Sequence, residues 1–158
     1  MSEPRTTRRG ATRKIVVATD FSTASRPALA AALDLARRDG ARLVVLHVMT
    51  PPSPFVGDDL PGSWLELEAK ARRDAERQLA AAVSQAERAG IAATGRLVKG
   101  APAEVIVRIA RREGADLIVI GTHGRSGLGR LFMGRVAARV LATAKCPVLT
   151  VRGRGRRA

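Results

Sequence analysis

Aromatic side chains are scarce in this sequence, at 3% of 158 residues, with no tyrosine and a single tryptophan. The 46% apolar content is therefore carried mostly by Ala, Val, Leu and Ile. Small and branched residues of this kind suit helices laid tightly over a sheet. One cysteine, Cys146, excludes an internal disulfide, and no Cys/His cluster supports a structural zinc site. Cys146 precedes Pro147-Val148-Leu149 and reads as a small buried residue at a strand entrance rather than a redox centre. No stretch approaches the roughly 18 apolar residues of a membrane span. Met1 to Lys14 carries Arg5, Arg8, Arg9 and Arg13 but no apolar core of a signal peptide, so the expected location is cytoplasmic.

Acidic residues are also few. Fourteen Asp and Glu stand against 28 Lys and Arg, a formal net charge of +14. Part of the excess lies in two tails, residues 1–13 and 153–158, through the arginines just named and Arg154, Arg156 and Arg157, with Arg152 adjoining. A basic tail attracts nucleic acid through counterion release and long-range attraction. No basic stripe interleaved with aromatics and no helix-turn-helix, zinc-finger or RNA-recognition signature accompanies it. The expectation is loose, nonspecific attraction to nucleic acid, not a dedicated reader.

Four apolar runs bounded by polar or turn residues read as buried strands: Ile15 to Ala18, Leu43 to Val48, Leu117 to Ile120 and Pro147 to Val151. A weaker strand is expected over Ala92 to Val98. Continuous runs, rather than alternation, are what a sheet covered on both faces requires. Helical patterns fall between them over Ala24 to Arg38, Ser63 to Arg88, Ala103 to Arg112 and Val136 to Ala144. The first puts Ala28, Ala31, Ala32, Leu35 and Ala36 on one side with Gly40 as its stop, and the last has Val140 and Leu141 central. Strict strand–helix alternation with right-handed crossovers predicts an α/β fold, one doubly wound parallel five-stranded sheet with helices on both faces, Rossmann-like. Ligands of such folds bind beyond the carboxyl ends of the strands where the strand order reverses. Pro51 to Gly62, with four prolines, reads as a long loop at that same edge, a lid or partner surface.

The segment Gly121-Thr122-His123-Gly124-Arg125-Ser126-Gly127-Leu128-Gly129-Arg130-Leu131-Phe132-Met133-Gly134-Arg135-Val136 follows a strand and leads into a helix. Glycines let the backbone approach a ligand, free amides at a helix start attract anions, and Arg125 and Arg130 add positive charge. The segment lacks the Lys-[Ser/Thr] of a P-loop, and G-x-G-x-x-G is missing after the first strand. From the residues alone, a phosphate cradle and a flexible turn for tight packing both stand.

The spacing Gly121-x2-Gly124-x9-Gly134 resembles the nucleotide loop of the universal stress protein family. Lys14 to Ser22 is similar to that family's first strand and turn, and Leu46-His47-Val48 and Cys146 to Leu149 resemble its second and fifth strands. The likeness runs from about Lys14 to Arg152, marking residues 14–152 as the domain. It implies ATP or another adenine nucleotide as ligand, with or without Mg²⁺, in a regulatory switch of the stress response. Ala18, Val48 and Ile120 would wall the adenine and ribose, and Asp20 would face the nucleotide. Gly121, His123, Gly124 and Gly134 would line the phosphates, and Arg135 and Val136, at the start of the next helix, would also contact the nucleotide. The resemblance also implies homodimers paired through the last strand, Pro147 to Val151.

Arg135 departs from the pattern, since ATP-binding members usually carry Ser or Thr there. A guanidinium either pairs bidentately with phosphate, or fills the phosphate space or turns to solvent. The second case leaves a nucleotide-free dimerisation or protein-interaction module of the same fold. Plainer roles also stand for several residues. Asp20 can serve turn amides, His47 can be a hydrogen-bonded structural histidine, and His123, Arg125 and Arg130 can be ordinary surface groups. Dedicated catalysis is not expected, because no nucleophile–base pair is evident and Thr19-Asp20-Phe21-Ser22-Thr23 does not match the Ser-Gly-Gly-x-Asp-Ser loop of adenylating relatives.

Overall fold

The computed structural model describes residues 12–50, 62–123 and 133–153. Its five strands are β1 (Lys14–Ala18), β2 (Arg42–Met49), β3 (Ala93–Lys99), β4 (Leu117–Gly121) and β5 (Val148–Val151). Between them run α1 (Arg26–Asp39), α2 (Gly62–Arg88), α3 (Pro102–Glu113) and α4 (Arg135–Thr143). Every strand pair is parallel, in the order β3-β2-β1-β4-β5. The chain winds outward from β1 through β2 to β3, then returns to β4 on the other side of β1. The reversal therefore falls between β1 and β4, as the doubly wound reading requires.

Both faces of the central strands are buried, which is why their sequences are continuously apolar. Ile15 and Val17 of β1, Leu43 and Val45 of β2, and Val119 of β4 face α1 and α2. Val16, Val44, Leu46, Ile118 and Ile120 face α3 and α4. In α1, Ala28, Ala32 and Ala36 recur every four residues and are fully covered, so a small side chain at each sheet contact brings the helix close. Helix boundaries follow local chemistry. Pro27 and Pro102 lie in the first turns of α1 and α3, and Gly40 and Gly114 close them at φ 64° and 62°, left-handed values that favour glycine.

Several expectations shift. Helix α1 begins at Arg26 rather than Ala24, because Ser22 to Ser25 form a turn of their own. Gly62, expected in the loop, opens α2; residues 51–61 of that loop lie outside the described residues. In α4 the inward stripe runs through Ala137 and Val140, and Leu141 falls on its edge at 42% exposure instead of facing the core. Cys146 is half-buried rather than enclosed, since β5 is an edge strand, and desolvation pushes its thiol pKa up. At the amino ends of the strands, Glu113 accepts from Arg96 at 2.9 and 3.1 Å and lies 3.5 Å from Lys14. The Arg96 hydrogen bond, with the Lys14 charge added, holds its carboxyl below the ordinary glutamate range. No helix among the described residues is long and apolar enough to cross a membrane.

Gly95 of β3 is a packing glycine. A Cβ there would stand 2.9 Å from Leu79 Cγ and 3.3 Å from Val83 Cγ2 on α2. Gly95→Val is expected to push α2 off the sheet and lower unfolding free energy by about 1–3 kcal/mol, the usual cost of overpacking. Urea denaturation of the two proteins checks this; an unchanged midpoint would mean that α2 does not depend on that contact.

Candidate functional site

At its carboxyl end β1 must leave the sheet, and side chains rather than strand partners satisfy its last peptide groups. Thr19 is buried; its N–H donates to Leu46 O at 3.0 Å. Its hydroxyl oxygen accepts from Phe21 N–H at 3.0 Å and lies 3.0 Å from Ser25 Oγ. Its carbonyl accepts from His47 Nδ1 at 2.8 Å, which fixes the proton on that nitrogen. Asp20 Oδ1 accepts from Ser22 N–H at 2.9 Å, and Ser25 Oγ donates to Ser22 O at 3.0 Å. These local bonds are the Asx- and Ser/Thr-type turns that compete with regular structure. They hold Phe21 at φ 59°, a left-handed value unusual for a bulky side chain, with its ring 4.9 Å from that of His47.

This turn leaves an open backbone edge on β2. Register pairs Ala18 with Leu46 as the last β1–β2 step, whereas β2 continues against β3 through Val48 and Met49. Peptide groups of alternate residues point to alternate neighbours. Leu46 O receives Thr19 N–H on the β1 side, and Met49 O receives Gly100 N–H on the β3 side. Val48 therefore points toward β1. Its next rungs would use Thr19 O and Phe21 N–H, but these are engaged by His47 and by the Thr19 hydroxyl. Among the described residues neither rung forms, so the N–H and C=O of Val48 face the crevice above the sheet.

The other end of the crevice is built by β4 and α4. Gly134 N–H donates to Thr122 O at 2.7 Å, and a Cβ on Gly134 would come within 3.1 Å of that oxygen, so the close approach suits glycine. Helix α4 has no side-chain N-cap and no acidic residue in its first turn. Its leading amides and the exposed Arg135 thus present positive potential. Arg135 has no ion-pair partner among the described residues. His123 Nδ1 lies 2.9 Å from Thr122 Oγ1, while its Nε2 is buried without a hydrogen-bond partner among the described residues.

The crevice, of about 1370 Å³, has room for a nucleotide. Ala18, Asp20, Val48, Ile120, Gly121, His123, Gly134, Arg135 and Val136 all line it. Gly124, with Arg125 and Arg130, lies outside the described residues, as do most of the basic tails. The open edge of β2 and the α4 terminus both border the crevice, with β2 and β4 as the two neighbours of β1. Sequence reasoning pointed to Thr19 as a strand-end position, but it missed Phe21 and Ser25, and it missed a wall from α2 made by Ala71, Asp74, Ala75 and Gln78. His47 is the hydrogen-bonded histidine expected, but it also lines the crevice. The cluster of Thr, Asp and Ser after β1 was the available signal for the turn.

A doubly wound parallel sheet with an open crevice at its switch point is the Rossmann-like α/β architecture, in which that crevice is the usual place for a ligand. The model of the universal stress protein family matches residues 11–152, and the chain belongs to that family. A universal stress protein of Methanocaldococcus jannaschii is 37% identical over 140 residues, covering 89% of this chain and 82% of the relative. The solved structure of a hypothetical protein from that organism superposes with a TM-score of 0.80 at 28% identity, covering 92% of this chain and 99% of the other. A universal stress protein in complex with cAMP superposes at 0.64, with 30% identity and coverage of 90% and 98%. The Archaeoglobus fulgidus universal stress protein in complex with dAMP gives 0.62, with 26% identity and coverage of 90% and 99%.

Thr19→Val removes the acceptor for Phe21 N–H and the partner of Ser25 Oγ while keeping the side chain's shape. Ser25 Oγ keeps its bond to Ser22 O, but leaving Phe21 N–H unsatisfied is expected to cost about 1–3 kcal/mol of unfolding free energy. Chemical denaturation measures it, and a neutral result would show that the turn is held by backbone geometry alone.

Proposed function

We propose that this protein binds an adenine nucleotide in the crevice and acts as a nucleotide-dependent regulatory switch in the stress response, with ATP as a ligand, with or without Mg²⁺. The observation that carries the reading is the division of the crevice into two unlike ends. The peptide edge of Val48 offers one donor and one acceptor, a pattern that matches the ring nitrogen and exocyclic amine of adenine. The α4 terminus offers amides, a close-approach glycine and a guanidinium with no ion-pair partner among the described residues, which suit phosphate. Relatives of the same fold in complex with cAMP and dAMP support an adenine nucleotide as the ligand class. In this reading Arg135 replaces a compact hydroxyl with a charged contact, and the ligand's charge is met by the protein's cationic excess.

Calorimetry with ATP, AMP and cAMP, with and without Mg²⁺, tests this on the wild type and on Arg135→Ser. Binding in the micromolar range is expected, with ATP affinity about tenfold weaker in the variant. No binding by the wild type, with binding gained by Arg135→Ser, would overturn the reading and make the protein a nucleotide-free interaction module.

The reading includes a homodimer paired through β5. This strand is an edge, and Leu149 on it and Leu141 on α4 are 38% and 42% exposed. Sedimentation should give twice the monomer mass for the wild type and monomer for Leu149→Asp; a monomeric wild type would rule this pairing out.

A further inference from the structure

We infer that His47 is a positioning residue that keeps the backbone edge of Val48 open for the base, an inference that rests on the nucleotide reading only for the identity of what docks there. Thr19 is 7% exposed, so its carbonyl must find a donor within the protein. Two donors are placed to serve it. One is Val48 N–H, the next rung of the β1–β2 ladder by register. The other is His47 Nδ1, on the preceding residue of the same strand, and it makes the bond at 2.8 Å.

The second rung is diverted in the same way. Phe21 N–H, the register's partner for Val48 O, goes to Thr19 Oγ1 at 3.0 Å. Two side-chain bonds thus replace two sheet bonds, and β1 stops short of β2. The Phe21 ring, 4.9 Å from the imidazole and tilted by 31°, packs the diverted chain against the group that diverts it. His47 itself is 8% exposed. A hydrophobic residue at 47 would leave Thr19 O without its donor, and the least movement that restores one is for β1 to add a rung to Val48. That rung would close the edge on which the base reading depends.

The role is positional: the imidazole acts through Thr19 on the availability of another residue's peptide group. A merely structural histidine would alter stability when replaced, but would not change which amide at the end of β2 is protected.

Native-state hydrogen exchange on the ¹⁵N-labelled full chain tests this without any ligand. In the wild type the Val48 amide is expected to exchange at least about a hundredfold faster than that of Leu46, inside the ladder. In His47→Leu, Val48 exchange should slow by at least about tenfold and AMP binding weaken by about tenfold. His47→Asn, whose side-chain amide nitrogen takes the place of Nδ1, should restore both wild-type values. Equal protection of Val48 and Leu46 in the wild type would overturn the inference, and that comparison decides even if His47→Leu fails to fold. Unchanged Val48 exchange in a folded His47→Leu would overturn it too. Fast exchange at Val48 without AMP binding by the wild type would uphold the His47 role and remove the nucleotide reading.

Discussion

Four hydrogen bonds converge on Thr19, through its amide, its carbonyl and its hydroxyl. Together they decide where β1 ends. A central strand of a parallel sheet has a neighbour on each side, and its peptide groups would go on pairing for as long as both neighbours ran alongside. Opening a crevice at the switch point means ending that pairing at a buried position without leaving polar groups unsatisfied. Here the side chains of Thr19, Ser25 and His47 take over the backbone's partners, and the turn, the left-handed Phe21 and the unpaired edge of β2 follow from that exchange.

The helices α1 and α2 lie close against one face of the sheet. Alanines at the fully buried positions of α1, and a glycine on β3 under Leu79, let these helices approach closely. The scarcity of aromatics belongs to the same solution: bulky rings in these layers would hold the helices farther off. Phe21 lies at the rim of the crevice, against the imidazole that its own turn depends on.

The strands and their order were legible because burial on both faces writes itself as runs such as Ile15 to Ala18 and Ile118 to Ile120, with glycines closing the helices between them. Alternation implied a doubly wound sheet with a switch point, and the order β3-β2-β1-β4-β5 that puts it between β1 and β4 comes from the structure. Gly134 was legible by its spacing, and the structure adds its reason, the Thr122 carbonyl 3.1 Å from where a Cβ would stand. The rest was hidden for identifiable causes. Leu141 is one helical step off a narrow stripe, and a nine-residue helix is too short for periodicity to fix its rotation. The α2 wall could not be read, since Ala71, Asp74, Ala75 and Gln78 meet the crevice through tertiary packing across a connection with no pattern of its own. His47 was read correctly as hydrogen-bonded, but its consequence for Val48 depends on strand register, which a single sequence does not state.

In the proposed complex the two ends of the crevice would work by different physics. Base recognition by the Val48 edge depends on direction and distance, in a setting shaped by a buried turn, and would change little with ionic strength. The α4 end acts through a helix terminus and an exposed guanidinium, both screened within about 10 Å at moderate salt. In that complex, selectivity for the base and affinity for the phosphates would therefore be separable. Replacing a compact hydroxyl with Arg135 changes the charge at one end while leaving the donor–acceptor pair at the other untouched. A family whose members differ in the phosphates they hold can vary that end alone, because the hydrogen bonds that set the base-reading edge lie one strand away, around Thr19.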